Sequence, residues 1–150
     1  MENQDIRQKD ENKQDKSGRT GIRLTSGRIW GVSAAGFIAA LLVDQWSKYM
    51  AVEYLQGKPA HVLIDGVFEL QYLENRGAAF GMMQDMQYVL VAGAVLICAV
   101  LLVLYGRIPA AGRYVPLRIC AVLLWAGAIG NMIDRIRLGY VVDFFYFSLI

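Results

Sequence analysis

Two aspartates near the end of the chain stand in different settings. Asp134 lies in Gly130-Asn131-Met132-Ile133-Asp134-Arg135, and Asp143 lies in Gly139-Tyr140-Val141-Val142-Asp143-Phe144. Nine residues apart, they would fall on opposite faces of a continuous helix, but Gly139 offers a break that turns the chain back. Arg135 can hold one carboxylate ionised, while an apolar wall of Val141, Val142, Phe144 and Phe145 disfavours the charged form of the other. Carboxyl groups driven apart in this way suit general acid and base work. A purely structural ion pair between Asp134 and Arg135 is the alternative. Asp44 and Lys48, four residues apart, share a helix face and can pair there. Ser47 beside Lys48 does not make a serine–lysine dyad, because adjacent helical residues point apart. In Glu74-Asn75-Arg76-Gly77-Ala78-Ala79-Phe80-Gly81 the small residues allow a tight turn or a close ligand approach, and Asn75 offers a donor and an acceptor to a peptide backbone. A single histidine, His61, leaves Ser-His-Asp and His-based metal chemistry without parts. No basic stripe points to nucleic acid, so neither metal, cofactor nor nucleic acid is expected.

The elements that must position these groups are apolar helices. Of the 150 residues, 56% are hydrophobic, more than a domain of this size can hide from water. Three apolar segments, Ile29 to about Ala51, Tyr88 to Tyr105 and Val115 to Ile133, each match the roughly 20 residues that cross a bilayer core. Pro116 sits where its missing N–H does no harm, and Arg118, one turn in, can extend to the interface. Met1 to Arg28 is polar and reads as a disordered cytoplasmic tail rather than a signal peptide, leaving 29–150 as the membrane domain. Seven of the 15 Lys and Arg precede Trp30, and Arg107, Arg113 and Arg118 surround the second connection. The stretch from Val52 to Gln87 holds only Lys58 and Arg76 against five acids, so the tail is expected inside and this long loop outside. Within it, Val62–Ile64 and Val67–Leu73 flank Asp65-Gly66 and predict a hairpin, the seed of a small extracytoplasmic sheet in the first outer loop. Cys98 and Cys120 lie in apolar runs and are read as small hydrophobes, not as a disulfide. The fold expected is therefore an all-α membrane protein with three transmembrane helices and that sheet.

Four motifs then resemble, in order, those of the lipoprotein signal peptidase family (signal peptidase II). They are Asp44-Gln45-Trp46-Ser47-Lys48, Asn75-Arg76-Gly77-Ala78-Ala79-Phe80, Gly130 to Arg135 and Val141-Val142-Asp143-Phe144. The resemblance implies an aspartic endopeptidase of the bacterial inner membrane, with four helices and two catalytic aspartates. Its substrate would be a prolipoprotein, cut just before a cysteine carrying diacylglycerol, with membrane lipids as the other partner. By the same resemblance Asp143 is the first catalytic aspartate. Asn75, Asn131, Asp134 and Arg135 line or support the cleft, and Asp44 and Lys48 belong to the motif near the first helix end. The family's second aspartate follows in a Phe-Asn-x-x-Asp motif, whereas Phe145 to Ile150 holds no carboxylate. The expectation is thus a C-terminally incomplete, catalytically deficient form. It is either an enzyme whose frame is cut short or a three-helix remnant that binds lipidated peptide, or nothing, without cleaving.

Overall fold

A computed structural model describes residues 26–77, 83–84 and 86–148. The tail assigned to 1–28 lies outside the described residues as far as 25, as do residues 78–82 of the Gly-Ala turn. Three helices carry the fold: α1 (Ser26–Leu55), α2 (Gln87–Arg107) and α3 (Val115–Leu138). All three are long and apolar enough to cross a membrane. Large apolar side chains such as Leu42, Leu96 and Leu124 face outwards with more than half their surface open, as lipid-facing residues do.

Each helix ends for a local reason. α1 runs past its expected end at Ala51 to Leu55, because the polar residues from Asp44 to Lys48 find partners across the bundle instead of breaking the helix. At the end of α2 the Ile108 N–H bonds the Tyr105 carbonyl, and Pro109 follows. α3 starts with Pro116 in its first turn, after a short 3-10 turn at Gly112–Tyr114. It passes its expected end at Ile133 and stops at Gly139, whose φ of 85° is left-handed and whose N–H returns to Arg135 O at 3.1 Å.

α3 packs against both other helices. Glycine sets how closely it approaches α1: a Cβ on Gly36 would lie 3.8 Å from Val122 Cγ1, and one on Gly130 would meet Asp44 Oδ2 at 2.1 Å. Phe37 and Trp125 fill the same seam, with ring centres 5.4 Å apart. At the end where α1 begins, the Tyr105 hydroxyl bonds Ser33, and its ring meets Trp30 edge-on at 4.9 Å. Arg118 turns back there too, donating to Ile108 O at 2.5 Å while its guanidinium lies over the Tyr105 ring.

The opposite end carries a three-stranded antiparallel sheet, in the order β1 (His61–Ile64), β2 (Phe68–Asn75) and β3 (Val141–Phe147). The β1–β2 hairpin is the expected one, with Gly66 at φ 65° in its turn. β3 was not expected and corrects the placement of the sheet in one loop, since two strands come from the α1–α2 connection and the third follows α3. Its sequence, Val-Val-Asp-Phe-Phe-Tyr-Phe, lacks the alternation that marks a strand. The turn at Gly139 brings it back to β2. Pairing runs from Phe68↔Phe147 to Leu70↔Phe145, then slips by one residue and resumes at Leu73↔Asp143. Phe68 stacks on Phe147 with centres 4.8 Å apart.

Because a side chain in the left-handed region costs about 1–2 kcal/mol, Gly139→Ala should lower the thermal midpoint of the detergent-solubilised protein. Gly139→Asn should lower it less, since asparagine tolerates that conformation. Equal midpoints for wild type and Gly139→Ala would show that the turn does not need glycine.

Candidate active site

Antiparallel pairing puts Asp143 opposite Leu73 and Val141 opposite Asn75, so the side chains of Asn75 and Asp143 lie diagonally on one face. The Asn75 amide nitrogen donates to Asp143 Oδ2 at 2.8 Å. Its oxygen is occupied as well, accepting the Gly77 N–H at 3.0 Å. The two bonds together define which end of the amide faces the carboxylate. Arg135, at the end of α3, reaches the same turn and donates from Nη2 to the Gly77 carbonyl at 2.8 Å. A longer bond, 3.4 Å from Nη1 to Asn131 O, ties the guanidinium to its own helix.

A second polar group lies between α1 and α3. Lys48 Nζ is 3.0 Å from Asp44 Oδ2, 2.9 Å from Asp134 Oδ2 and 2.8 Å from Asn131 Oδ1. The Asn131 amide oxygen accepts a hydrogen bond from the ammonium, and the two carboxylates pair with its charge. Gln45 fills in from the side, with its amide nitrogen 3.1 Å from both Asp44 Oδ2 and Asp134 Oδ1. Lys48 and Asp134 are both buried, at 7% and 5% exposure. A cavity of about 150 Å³ opens beside them, lined in part by Gln45, Lys48, Asp134 and Val142. Val142 is adjacent to Asp143 on β3, so it points to the other face of the strand.

The residues singled out in the sequence thus form two clusters. Asp143, Asn75 and Arg135 make one; Asp44, Lys48, Asp134 and Asn131 make the other, and Asn131 touches both through its backbone and its side chain. The expected Asp44–Lys48 pair is present. The Asp134–Arg135 pair of the alternative reading is not: Asp134 turns to Lys48 and Arg135 to a backbone carbonyl, because successive helical side chains diverge by about 100°. Among the described residues Arg135 forms no ion pair with Asp143 either.

Three residues of the site were missed. Gln45 carries no charge and was named only within a motif, with no role, although an amide within an apolar helix was a usable signal. Gln87, on the first turn of α2, donates to the Arg135 carbonyl and fastens the end of α3. Gly130, read as part of a motif, is the gap that admits Asp44. On the far face of the sheet, the Tyr72 hydroxyl lies 3.3 Å from that of Tyr140 and 3.4 Å from Glu74 Oε1. Burial and these neighbours push the Tyr72 phenol above its usual range, so it stays a neutral donor.

Residues 36–150 match the family described as signal peptidase (SPase) II. The chain is 40% identical over 108 residues to the lipoprotein signal peptidase of Caldanaerobacter subterraneus subsp. tengcongensis, covering 72% of each. It is 40% identical over 110 residues to the lipoprotein signal peptidase of Clostridioides difficile, covering 72% of this chain and 71% of that one. A solved bacterial membrane enzyme is similar in fold, with a TM-score of 0.68 at 25% identity over 79% of this chain and 71% of that one.

Removing one member of a buried charged group costs about 3–5 kcal/mol, because it strands the others. Lys48→Met should therefore sharply lower thermal stability in detergent. Adding Asp134→Asn should recover part of the loss by removing a stranded charge. A double variant no more stable than Lys48→Met would show that the penalty is lost packing rather than unpaired charge.

Proposed function

Since the chain belongs to the signal peptidase II family, we propose that it removes signal peptides from prolipoproteins by aspartic-peptidase chemistry. The observation that carries the reading is the Asn75–Asp143 contact at the sheet end of three membrane-length helices. The amide N–H bonded to Oδ2 orients the carboxylate that would act as general base. Asp143 would take a proton from water as the water oxygen attacks the scissile carbonyl. A second carboxyl would give its proton to the carbonyl oxygen, and the C–N bond would break as the nitrogen is protonated.

Asp134 and Asp44 are poor candidates for that second carboxyl, since both face Lys48. The resemblance assigns it instead to a Phe-Asn-x-x-Asp motif beyond Val141-Val142-Asp143-Phe144. In this reading Asn75 and Arg135 organise the cleft, while Asp44, Lys48, Asn131 and Asp134 hold its floor. The substrate class is a prolipoprotein with a diacylglyceryl cysteine, whose lipid suits a site at the end of a lipid-facing bundle. The excess of Lys and Arg before Trp30 and from Arg107 to Arg118 supports a cytoplasmic N-terminus in the bacterial inner membrane and a catalytic face outside. A non-cleaving binder of lipidated peptide is the competing reading, since the carboxylates of Asp44 and Asp134 are both turned to Lys48.

Two measurements test the proposal. A reporter fused after Met83 should be extracytoplasmic and one fused after Ala111 cytoplasmic; the reverse pattern would place the site on the wrong side. In a chain that includes the second motif, Asp143→Asn should reduce cleavage of a diacylglyceryl prolipoprotein by at least about a hundredfold while membrane insertion is kept. Activity like wild type in that variant would sink the aspartic mechanism, and peptide binding without turnover in the parent would favour the binder.

A further inference from the structure

Arg135 sits at a helix end beside the candidate catalytic carboxylate, yet its guanidinium points at backbone. We propose that Arg135 is a positioning residue for Asp143, acting through the backbone of Gly77 and the Asn75 side chain rather than by contact with the substrate. The inference rests on the peptidase reading for its functional meaning, but the contacts that carry it do not.

The backbone of one residue is held on both sides, through the two peptide units that meet at Gly77. The Gly77 carbonyl accepts Arg135 Nη2 at 2.8 Å, and the Gly77 N–H is given to Asn75 Oδ1 at 3.0 Å. With its oxygen occupied, Asn75 turns its NH2 to Asp143 Oδ2 at 2.8 Å. The sheet register alone fixes the distance between Asn75 and Asp143, but it does not fix the polarity of the amide. If Gly77 rotated, Asn75 could turn over and present an oxygen to a carboxylate, which repels it. Arg135 anchors the Gly77 carbonyl and so restrains the residue from turning. Its own position is set from two directions, by Asn131 O on α3 and by the Gln87 side chain of α2, which bonds the Arg135 carbonyl. The result is a line of contacts from α2 through the end of α3 to Asp143.

The test uses a cleavage-competent chain with a diacylglyceryl prolipopeptide substrate. Arg135→Met should lower kcat by up to about a hundredfold, the scale on which a misplaced group slows a reaction, with KM little changed. Arg135→Lys keeps a donor for the Gly77 carbonyl and should restore most of that loss. In an Asn75→Ala background, Arg135→Met should have no further effect, since the side chain it acts through is gone. Multiplying effects, or a raised KM with kcat kept, would mean that Arg135 meets the substrate and would overturn the proposal. Hydrogen exchange at the Gly77 amide supplies a readout independent of turnover. Protection should fall in Arg135→Met and in Asn75→Ala while the β2 amides stay protected, and unchanged protection at Gly77 in either would refute the relay. If the parent chain does not cleave, the peptidase reading fails by itself and the exchange result still decides the relay.

Discussion

An ammonium group inside an apolar bundle needs opposite charge and a polar partner close by, and the arrangement around Lys48 depends on supplying them. A central Lys or Asp costs roughly 2.5–3.5 kcal/mol at membrane depth, so none of the three charges could stay there alone. Together they lock α1 to α3 at one rotation and one height. Gly130 must be a glycine for the carboxylate of Asp44 to fit between the helices. Asn131 and Asp134 must then face α1, and that rotation leaves Arg135 aimed at the Gly77 turn. The orientation of the neighbouring site is therefore a by-product of neutralising charge.

From α3 the constraint passes to the sheet. Gly139 ends the helix in a left-handed turn, and the strand that follows begins two residues later. Val141 and Val142, each 2% exposed, seat β3 against the bundle, so the position of Asp143 is referred directly to α3. Asn75 arrives from the other side of the chain on β2. The polar pair is assembled from segments 68 residues apart, each brought in by packing that has no chemistry of its own.

Much of this was legible in the sequence. A bilayer sets the length of a helix, so three apolar runs located α1, α2 and α3 to within a few residues. Asp65-Gly66 marked the hairpin, and Gly139 marked the break after α3. The four motifs brought together the residues that do converge. β3 escaped notice because apolar residues on both its faces erase the period-two signal, and its partner lies 60–80 residues away. The partners of Asp134 and Arg135 were misjudged because neighbours in a helix point in different directions, and only the packing decides where each one looks.

The slip in the β2–β3 register has a consequence of parity. Continuing the pairing of Phe68–Leu70 without it would set Asp143 opposite Tyr72, and Asn75 would then project from the reverse side of the sheet. The additional residue leaves two residues between Leu70 and Leu73 against one between Phe145 and Asp143, and so moves Asn75 to the side of Asp143. The amide and the carboxylate can meet because of a number rather than a side chain: any residues at 71 and 72 preserve the meeting, provided there are two of them.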